Sequence, residues 1–187
     1  KSYVNAVQWA IGIELALLVK DPWKVMFTTD SPNGGSFVNY PEAYTYLMSE
    51  KKRQQIISGF PETALNRMVL PGLDRELSFY ELATMTRSTQ SRIYSRPEKG
   101  NLAVGADADI AIYDIFPDAI DPSVEHEKVK KAFSATAYTI KGGTIVVKDG
   151  NIENTPMGRT YWVNAKVPSD IECAMQKDLD VKFQKYY

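Results

Sequence analysis

The sequence predicts an α/β fold, and three observations carry that expectation. An apolar helical pattern over residues 4–19 is broken by Asp21-Pro22 and leads at once into the bulky run of residues 23–29. A helix delivered directly into a buried strand is the repeating unit of such folds. Beyond residue 100 the apolar period shortens from helical steps to alternation, with Gly-Gly and Asp-Gly turns between the runs.

The first element is a helix over residues 4–19, in which Val7, Ile11, Leu15 and Leu18 recur at three- and four-residue steps and define a wide apolar face. Gln8, Gly12 and Glu14 interrupt the stretch, and it is shorter than the roughly 20 residues that cross a bilayer. It reads as a core helix and not as a membrane span. The second element is a strand over residues 23–29, where Val25, Met26 and Phe27 suit burial on both faces of a parallel sheet. It ends at Asp30, because Pro32, Asn33, Gly34 and Gly35 cannot continue a ladder. A carboxylate therefore stands at the strand-to-loop edge where α/β enzymes place chemistry. The same residue suits a plain turn in which Asp30 accepts backbone N–H groups, and spacing alone leaves both readings open.

Helices are expected over residues 41–48 and 50–57, the second carrying Glu50, Lys51, Lys52 and Arg53 on a solvated face. Ser78-Phe79-Tyr80-Glu81 fits a capping box and opens a helix that frays near Ser91. Arg96 to Gly100 form a linker that divides the chain at 98/99. Ile110, Ile112 and Ile115 make a short β-branched run. Strands over 132–141, 144–148 and 151–153, joined by Gly142-Gly143 and Asp149-Gly150, form an antiparallel meander, with 158–166 as a further strand. Ser169-Asp170-Ile171-Glu172 opens a final helix with Ile171, Met175, Leu179 and Phe183 on one face.

With 187 residues, 44% hydrophobic and 24% charged, the chain can bury a core. A net charge of -1 and a pI near 5.9 give no electrostatic footprint for nucleic acid or anionic membrane. Cys173 is the single cysteine, which suits a reducing, cytoplasmic setting. Phosphate-loop, CxxC and GxSxG patterns are absent. His126, the one histidine, stands between Glu125 and Glu127 and is expected to be solvated. Asp107, Asp109 and Asp114 are expected to cap turns, since an EF-type calcium loop needs a glycine and a distal Glu. The chain begins at Lys1 beside a strongly patterned helix, and further strands of a parallel sheet are not evident, so a fragment of a longer protein is expected.

Residues 100–114, GNLAVGADADIAIYD, resemble the segment with which metal-dependent amidohydrolases leave a (β/α)₈ barrel and enter a small β-sandwich. TIKGGTIVVKDG resembles the strands that follow. The segment NAVQWAIGIELALLVKDPWKVMFTTDSPNGGSF, continued by LSFYELATMTR and GADADIAIYD to about Val163, is similar to the A subunit of formylmethanofuran dehydrogenase and its relatives in bacterial formyltransferase/hydrolase complexes. The resemblance implies the C-terminal part of the barrel over residues 1–98, with its last strand at 23–29, and a β-sandwich segment with hairpin meander and terminal helix over 99–187. It implies that Asp30 is both a metal ligand and the catalytic proton carrier, with Ser31, Asn33 and Gly34 in the substrate loop. A binuclear zinc site is implied, whose other ligands, an HxH pair, a carboxylated lysine and another His, lie upstream of this chain. So is the interconversion of formate plus methanofuran with N-formylmethanofuran, beside partner subunits that include one carrying a molybdenum or tungsten pterin. This fragment is expected to be inactive alone, and to self-associate through exposed edges.

Two departures from the family stand out. Ser31 replaces the His that usually follows the Asp, and Ser88-Thr89-Gln90-Ser91 replaces N-P-A-K, the second change being expected to be structural. Two other readings compete. A cyclic-amide or dihydroorotase-type amidohydrolase would share GADADIAIYD but not NAVQWAIGIELALL, and a catalytically silent scaffold would keep the fold without the chemistry.

Overall fold

Helix α1 (Tyr3–Leu18) begins where the Ser2 hydroxyl accepts the Asn5 N–H at 3.4 Å. It buries Ala6, Ala10, Ile13, Ala16 and Leu17, whereas Ile11, Leu15 and Leu18 of the expected face remain 49–58% exposed. The helix is as expected, but the face is not. α1 carries two apolar stripes: the alanine-rich one is buried, while the other packs on the core only through Val7. The computed structural model describes residues 2–163 and 166–186, in two compact units that meet at Pro156/Met157 in sequence.

The strand expected over residues 23–29 is not formed. Pro22–Lys24 make a 3-10 turn, capped by the Asp21 carboxylate, which accepts the Trp23 N–H at 3.0 Å. The chain then runs extended from Val25 to Thr29 without a ladder, and Phe27 N–H donates to the Met85 carbonyl at 3.1 Å. Nor is the run buried on both faces. Val25 and Phe27 are half-buried while Met26 is exposed, because a strand needs paired neighbours and none flanks this segment among the described residues.

Helices α2 (Tyr40–Met48) and α3 (Glu50–Ile57) lie where expected and are joined at Ser49, whose hydroxyl accepts the Lys52 N–H at 3.1 Å and donates to the Ser123 carbonyl at 2.7 Å. The charged run on α3 is not a solvated face throughout. Arg53 has 0% exposure, and its guanidinium donates to the carbonyls of Tyr46 (2.9 Å), Leu73 (3.0 Å) and Arg75 (2.8 Å). Arg75 in turn reaches the carbonyls of Leu17 and Val19 and pairs with Glu81 at 2.7 Å. These two arginines tie the end of α1 to α2, α3 and the loop beyond α4 (Glu62–Leu65). The Glu14 carboxylate adds to the joint by accepting the N–H groups of Val69 (2.7 Å) and Leu70 (2.9 Å). Trp9 seals it edge-on against Tyr46 and Phe60, at 5.1 and 5.4 Å between centroids.

The capping box is made as the sequence requires: Glu81 accepts the Ser78 N–H at 2.9 Å while the Ser78 hydroxyl accepts the Glu81 N–H at 3.2 Å. Helix α5 (Phe79–Ala83) passes through a π-helical turn, Thr84–Ser88, into α6 (Thr89–Ile93). The four residues in place of N-P-A-K are all joints. Ser88 donates to the Gly100 carbonyl (2.6 Å), Thr89 to Pro22 (3.1 Å), Gln90 to Met85 (2.9 Å), and Ser91 to Arg96 and Lys99 (2.9 and 2.7 Å). Gly100 packs so closely here that an added Cβ would lie 2.9 Å from the Arg87 carbonyl oxygen, and its φ of +69° suits glycine alone.

Helix α7 (His126–Phe133) occupies the beginning of the segment read as a strand over 132–141, so that strand starts only at Tyr138. Its packing on α2 corrects the reading of His126, which is 7% exposed and not solvated. Glu42 on α2 accepts hydrogen bonds from Tyr46 and pairs with Lys52 and Lys130, so charged partners around α7 hold the two helices together. Strands β1 (Ile110–Ile112), β2 (Tyr138–Lys141), β3 (Thr144–Lys148) and β4 (Asn151–Ile152) form one antiparallel sheet in that order. Ile110 opposes Ile140, Tyr138 opposes Lys148, and a bulge falls at Thr139/Ile140. Both hairpin turns have positive φ at their two central residues, Gly142-Gly143 and Asp149-Gly150, as type I′ turns require.

Asp109 and Lys99 join the sheet to the linker. The Asp109 carboxylate accepts the Gly142 N–H at 2.8 Å and pairs with Lys99, which also meets Asp107 at 2.8 Å. These acids fix turns, as the sequence suggests. Beyond Met157, residues 158–163 have no regular structure, and residues 164 and 165 of the further expected strand lie outside the described residues. Helix α8 (Ser169–Tyr186) leaves Ile171, Met175, Leu179 and Phe183 exposed along one side.

Replacing Arg53 with Met would remove the partner of three half-buried carbonyls, and we expect a loss of about 3 kcal/mol, read as a fall in the urea unfolding midpoint. An unchanged midpoint would show that these bonds carry no net stability. The pH dependence follows from two carboxylates. Burial works to raise Glu81, but the Ser78 amide and the Arg75 guanidinium outweigh it and hold it below its ordinary value. Asp109 is held low first by Lys99 and then by the Gly142 N–H. Their contribution is therefore present above the ordinary carboxylate range near pH 4 and is lost as pH falls through the lower folded-state values. Urea midpoints should drop between about pH 5 and 3, and less steeply for Glu81→Gln; parallel profiles would contradict the assignment.

Candidate functional site

Asp30 sits where the extended segment turns. Its φ is +51°, a left-handed backbone that Asp tolerates better than most residues, and its side chain is exposed. The Asp30 N–H donates to the Thr28 hydroxyl at 3.2 Å, and the Asp30 carbonyl accepts the Gly34 N–H at 2.8 Å, closing the turn over Ser31, Pro32 and Asn33. The Ser31-Pro32 bond is cis. Tyr40 anchors this turn to α2: its hydroxyl donates to Thr28 (3.5 Å) and accepts the Thr29 N–H (3.3 Å). Burial acts to raise the Tyr40 phenol, but the bonds with Thr28 and Thr29 outweigh it and hold the phenol below its ordinary value.

Gly34 is the residue whose role sequence reading understated. A Cβ there would come within 2.8 Å of the Thr29 carbonyl oxygen and 3.4 Å of Asp30 Oδ2, so only glycine lets the loop fold back against the acid. Gly35 is less confined, its nearest neighbour lying at 3.6 Å. Ser31, Asn33 and Gly34 are all exposed on the turn that follows Asp30.

The donor set decides what this loop can hold. Among the described residues no group of three or more His, Cys, Asp or Glu side chains gathers as a metal site. Asp30 is one oxygen ligand, and a zinc ion takes four ligands, or three and a water. The described residues do not by themselves fit a binuclear zinc centre.

Comparison with known proteins identifies the lineage. Residues 2–147 match the model of the amidohydrolase family. The chain belongs to the amidohydrolase family. Within it, the chain is 42% identical to protein FwdA of Methanocaldococcus jannaschii over 189 residues, covering all of this chain and 32% of that protein. It is 34% identical to the A subunit of the formyltransferase/hydrolase complex Fhc of Methylorubrum extorquens, over 96% of this chain and 31% of that relative. The crystal structure of the FhcABCD complex with methylofuran, from the same organism, contains a chain that superposes with a TM-score of 0.79 at 33% identity, over 98% of this chain and 32% of its own length. This amidohydrolase chain thus spans about a third of the length of the relatives it matches. The resemblance to formylmethanofuran dehydrogenase read from NAVQWAIGIELALL and GADADIAIYD is borne out. Among the described residues no helix is long and apolar enough to cross a membrane.

Gly34→Ala should displace the turn from Asp30. We expect Gly34→Ala to destabilise this chain by about 1 kcal/mol or more, read as a fall in its urea unfolding midpoint, with Gly35→Ala close to wild type. Equal midpoints for both variants would show that the close approach of Gly34 to Thr29 and Asp30 does not constrain the fold.

Proposed function

We propose that this chain is the C-terminal portion of the A subunit of a formylmethanofuran dehydrogenase or formyltransferase/hydrolase complex. On this reading residues 1–98 complete an amidohydrolase barrel and 99–187 belong to its β-sandwich segment. The observation that carries it is the similarity of the whole chain to FwdA and to its Fhc counterpart, together with an acid held at the turn that follows an extended segment. The parent interconverts N-formylmethanofuran and formate plus methanofuran in the cytoplasm, beside partner subunits that include a molybdenum- or tungsten-pterin protein. The fragment alone is inactive, because the rest of the site lies outside it.

Within that reaction Asp30 is the proton carrier. An exposed carboxylate on a turn fixed by Gly34 and Thr28 reaches into solvent-filled space, where it accepts a proton from the attacking water and returns it to the departing amine nitrogen. In the reverse direction it takes the proton from the amine and gives it to the leaving hydroxyl. Thr28 and Tyr40 position this acid without touching substrate. Two zinc ions belong to the proposal for the parent, with Asp30 as the ligand this chain contributes. Ser31, in place of the family's His, contributes a hydroxyl next to the acid, and Asn33 and Gly34 form the loop facing the substrate.

The test is zinc stoichiometry and formylmethanofuran hydrolysis measured on the full-length protein, wild type against Asp30→Ala. We expect near two zinc ions per wild-type protein, and a fall of about 10³-fold in the variant with its fold retained. Unchanged activity in Asp30→Ala would reduce the turn to a structural connection.

A further inference from the structure

Between the extended segment at residues 26–28, α2, the π-helical turn and α7 lies a cavity of about 1000 Å³. Aromatic rings line it: Phe27, Tyr40, Tyr44, Tyr113 and Phe133, with Tyr113 against Phe133 at 4.6 Å and Tyr44 against Phe133 at 5.2 Å between centroids. Its one charged lining residue, among those described, is Arg87, and Asp30 is not part of the wall. The cavity is thus apolar with a few convergent polar groups, the usual make-up of a small-molecule site.

Arg87 is exposed on the cavity wall, whereas Arg53 is enclosed in the core. Arg53 meets three backbone carbonyls through its two terminal nitrogens, and Arg75 is paired with Glu81. Arg87 donates through Nη1 to the Thr86 carbonyl (2.9 Å) and through Nη2 to the Tyr113 hydroxyl (3.1 Å), with the Tyr44 hydroxyl as a further partner. All of these are neutral oxygens, and among the described residues no carboxylate lies within ion-pair distance of it. The five N–H donors of a guanidinium are not exhausted by such bonds. Arg87 also stands in the π-helical turn, a local departure from α-geometry that recurs at functional sites.

We propose that this cavity is a carboxylate-binding site, with the Arg87 fork receiving the two carboxylate oxygens, the Tyr44 and Tyr113 hydroxyls hydrogen-bonding beside it, and the aromatic walls taking the body that bears the acid. A planar fork matches a carboxylate bidentately, and one cation balances one such group better than a doubly charged phosphate. The carboxylate comes from one of two sources, a free organic acid or an acidic side chain of the part of the parent protein outside this sequence. The site shares Thr28 and Tyr40 with the support of the Asp30 turn but does not include Asp30, and it stands whether or not Asp30 carries the proton.

Benzoate, with neutral benzamide as control, tests it by calorimetry on both this 187-residue chain and the full-length protein. We expect the chain to bind benzoate in preference to benzamide, about tenfold more weakly in Arg87→Met, and by an intermediate amount in Arg87→Lys, which keeps the charge without the fork. Tyr113→Phe, which leaves Arg87 in place, should weaken binding by a few-fold. If the full-length protein also binds benzoate, a free acid is the ligand. If it does not, and Arg87→Met lowers its Tm, the acid is an internal side chain. Failure of the chain to bind benzoate, equal binding of benzamide, or the same affinity in Arg87→Met and Arg87→Lys as in wild type overturns the proposal.

Discussion

The buried guanidinium of Arg53 is the constraint on which the rest of the first unit depends. A charge with no exposure has to be met by oxygens, and here they are backbone carbonyls from three separate points, Tyr46, Leu73 and Arg75. This fixes the path of an irregular loop that has little secondary structure of its own. Because Arg75 is held by that loop, its side chain can clamp the end of α1 and the capping glutamate of α5 at once. Two arginines and Glu14 thus do what a sheet would do in a larger α/β protein: they supply long-range order between helices.

That order places the Asp30 turn indirectly. The extended segment is attached through Phe27 to Met85 and through Thr28 and Thr29 to Tyr40, and both anchors sit on helices that the arginine clamp aligns. The acid itself is exposed and tied only through its backbone. An exposed carboxylate on a turn pinned by backbone bonds is the arrangement that the proposed role of Asp30 calls for, in a chain that covers about a third of each amidohydrolase relative.

Much of this was legible in the sequence where local chemistry decides the outcome. The Ser78/Glu81 box, the two glycine-bearing hairpin turns and the helices at α2 and α3 depend on neighbours a few residues away, and they formed as read. What failed depended on distant partners. The run at Val25 to Phe27 has strand chemistry but no strand to pair with. α1 has two apolar stripes, and nothing in its period says which one this chain will cover. Arg53 and His126 carry polar labels in charged surroundings, and only the fold reveals that each is enclosed. At the site, the Asp30 loop was legible from the break in the strand pattern. The demand for glycine at 34 was not, because it arises from a backbone approach that spacing does not encode.

The run Ser88-Thr89-Gln90-Ser91 carries a consequence for how such a fold can diverge. Each of its side chains ends on a main-chain oxygen, of Gly100, Pro22, Met85, Arg96 or Lys99, and a main-chain oxygen is offered by every amino acid. The joint therefore recognises the course of the polypeptide and is largely blind to its spelling. Connecting segments on the far side of these bonds can be rewritten by drift, or exchanged between relatives, as long as their trace is kept.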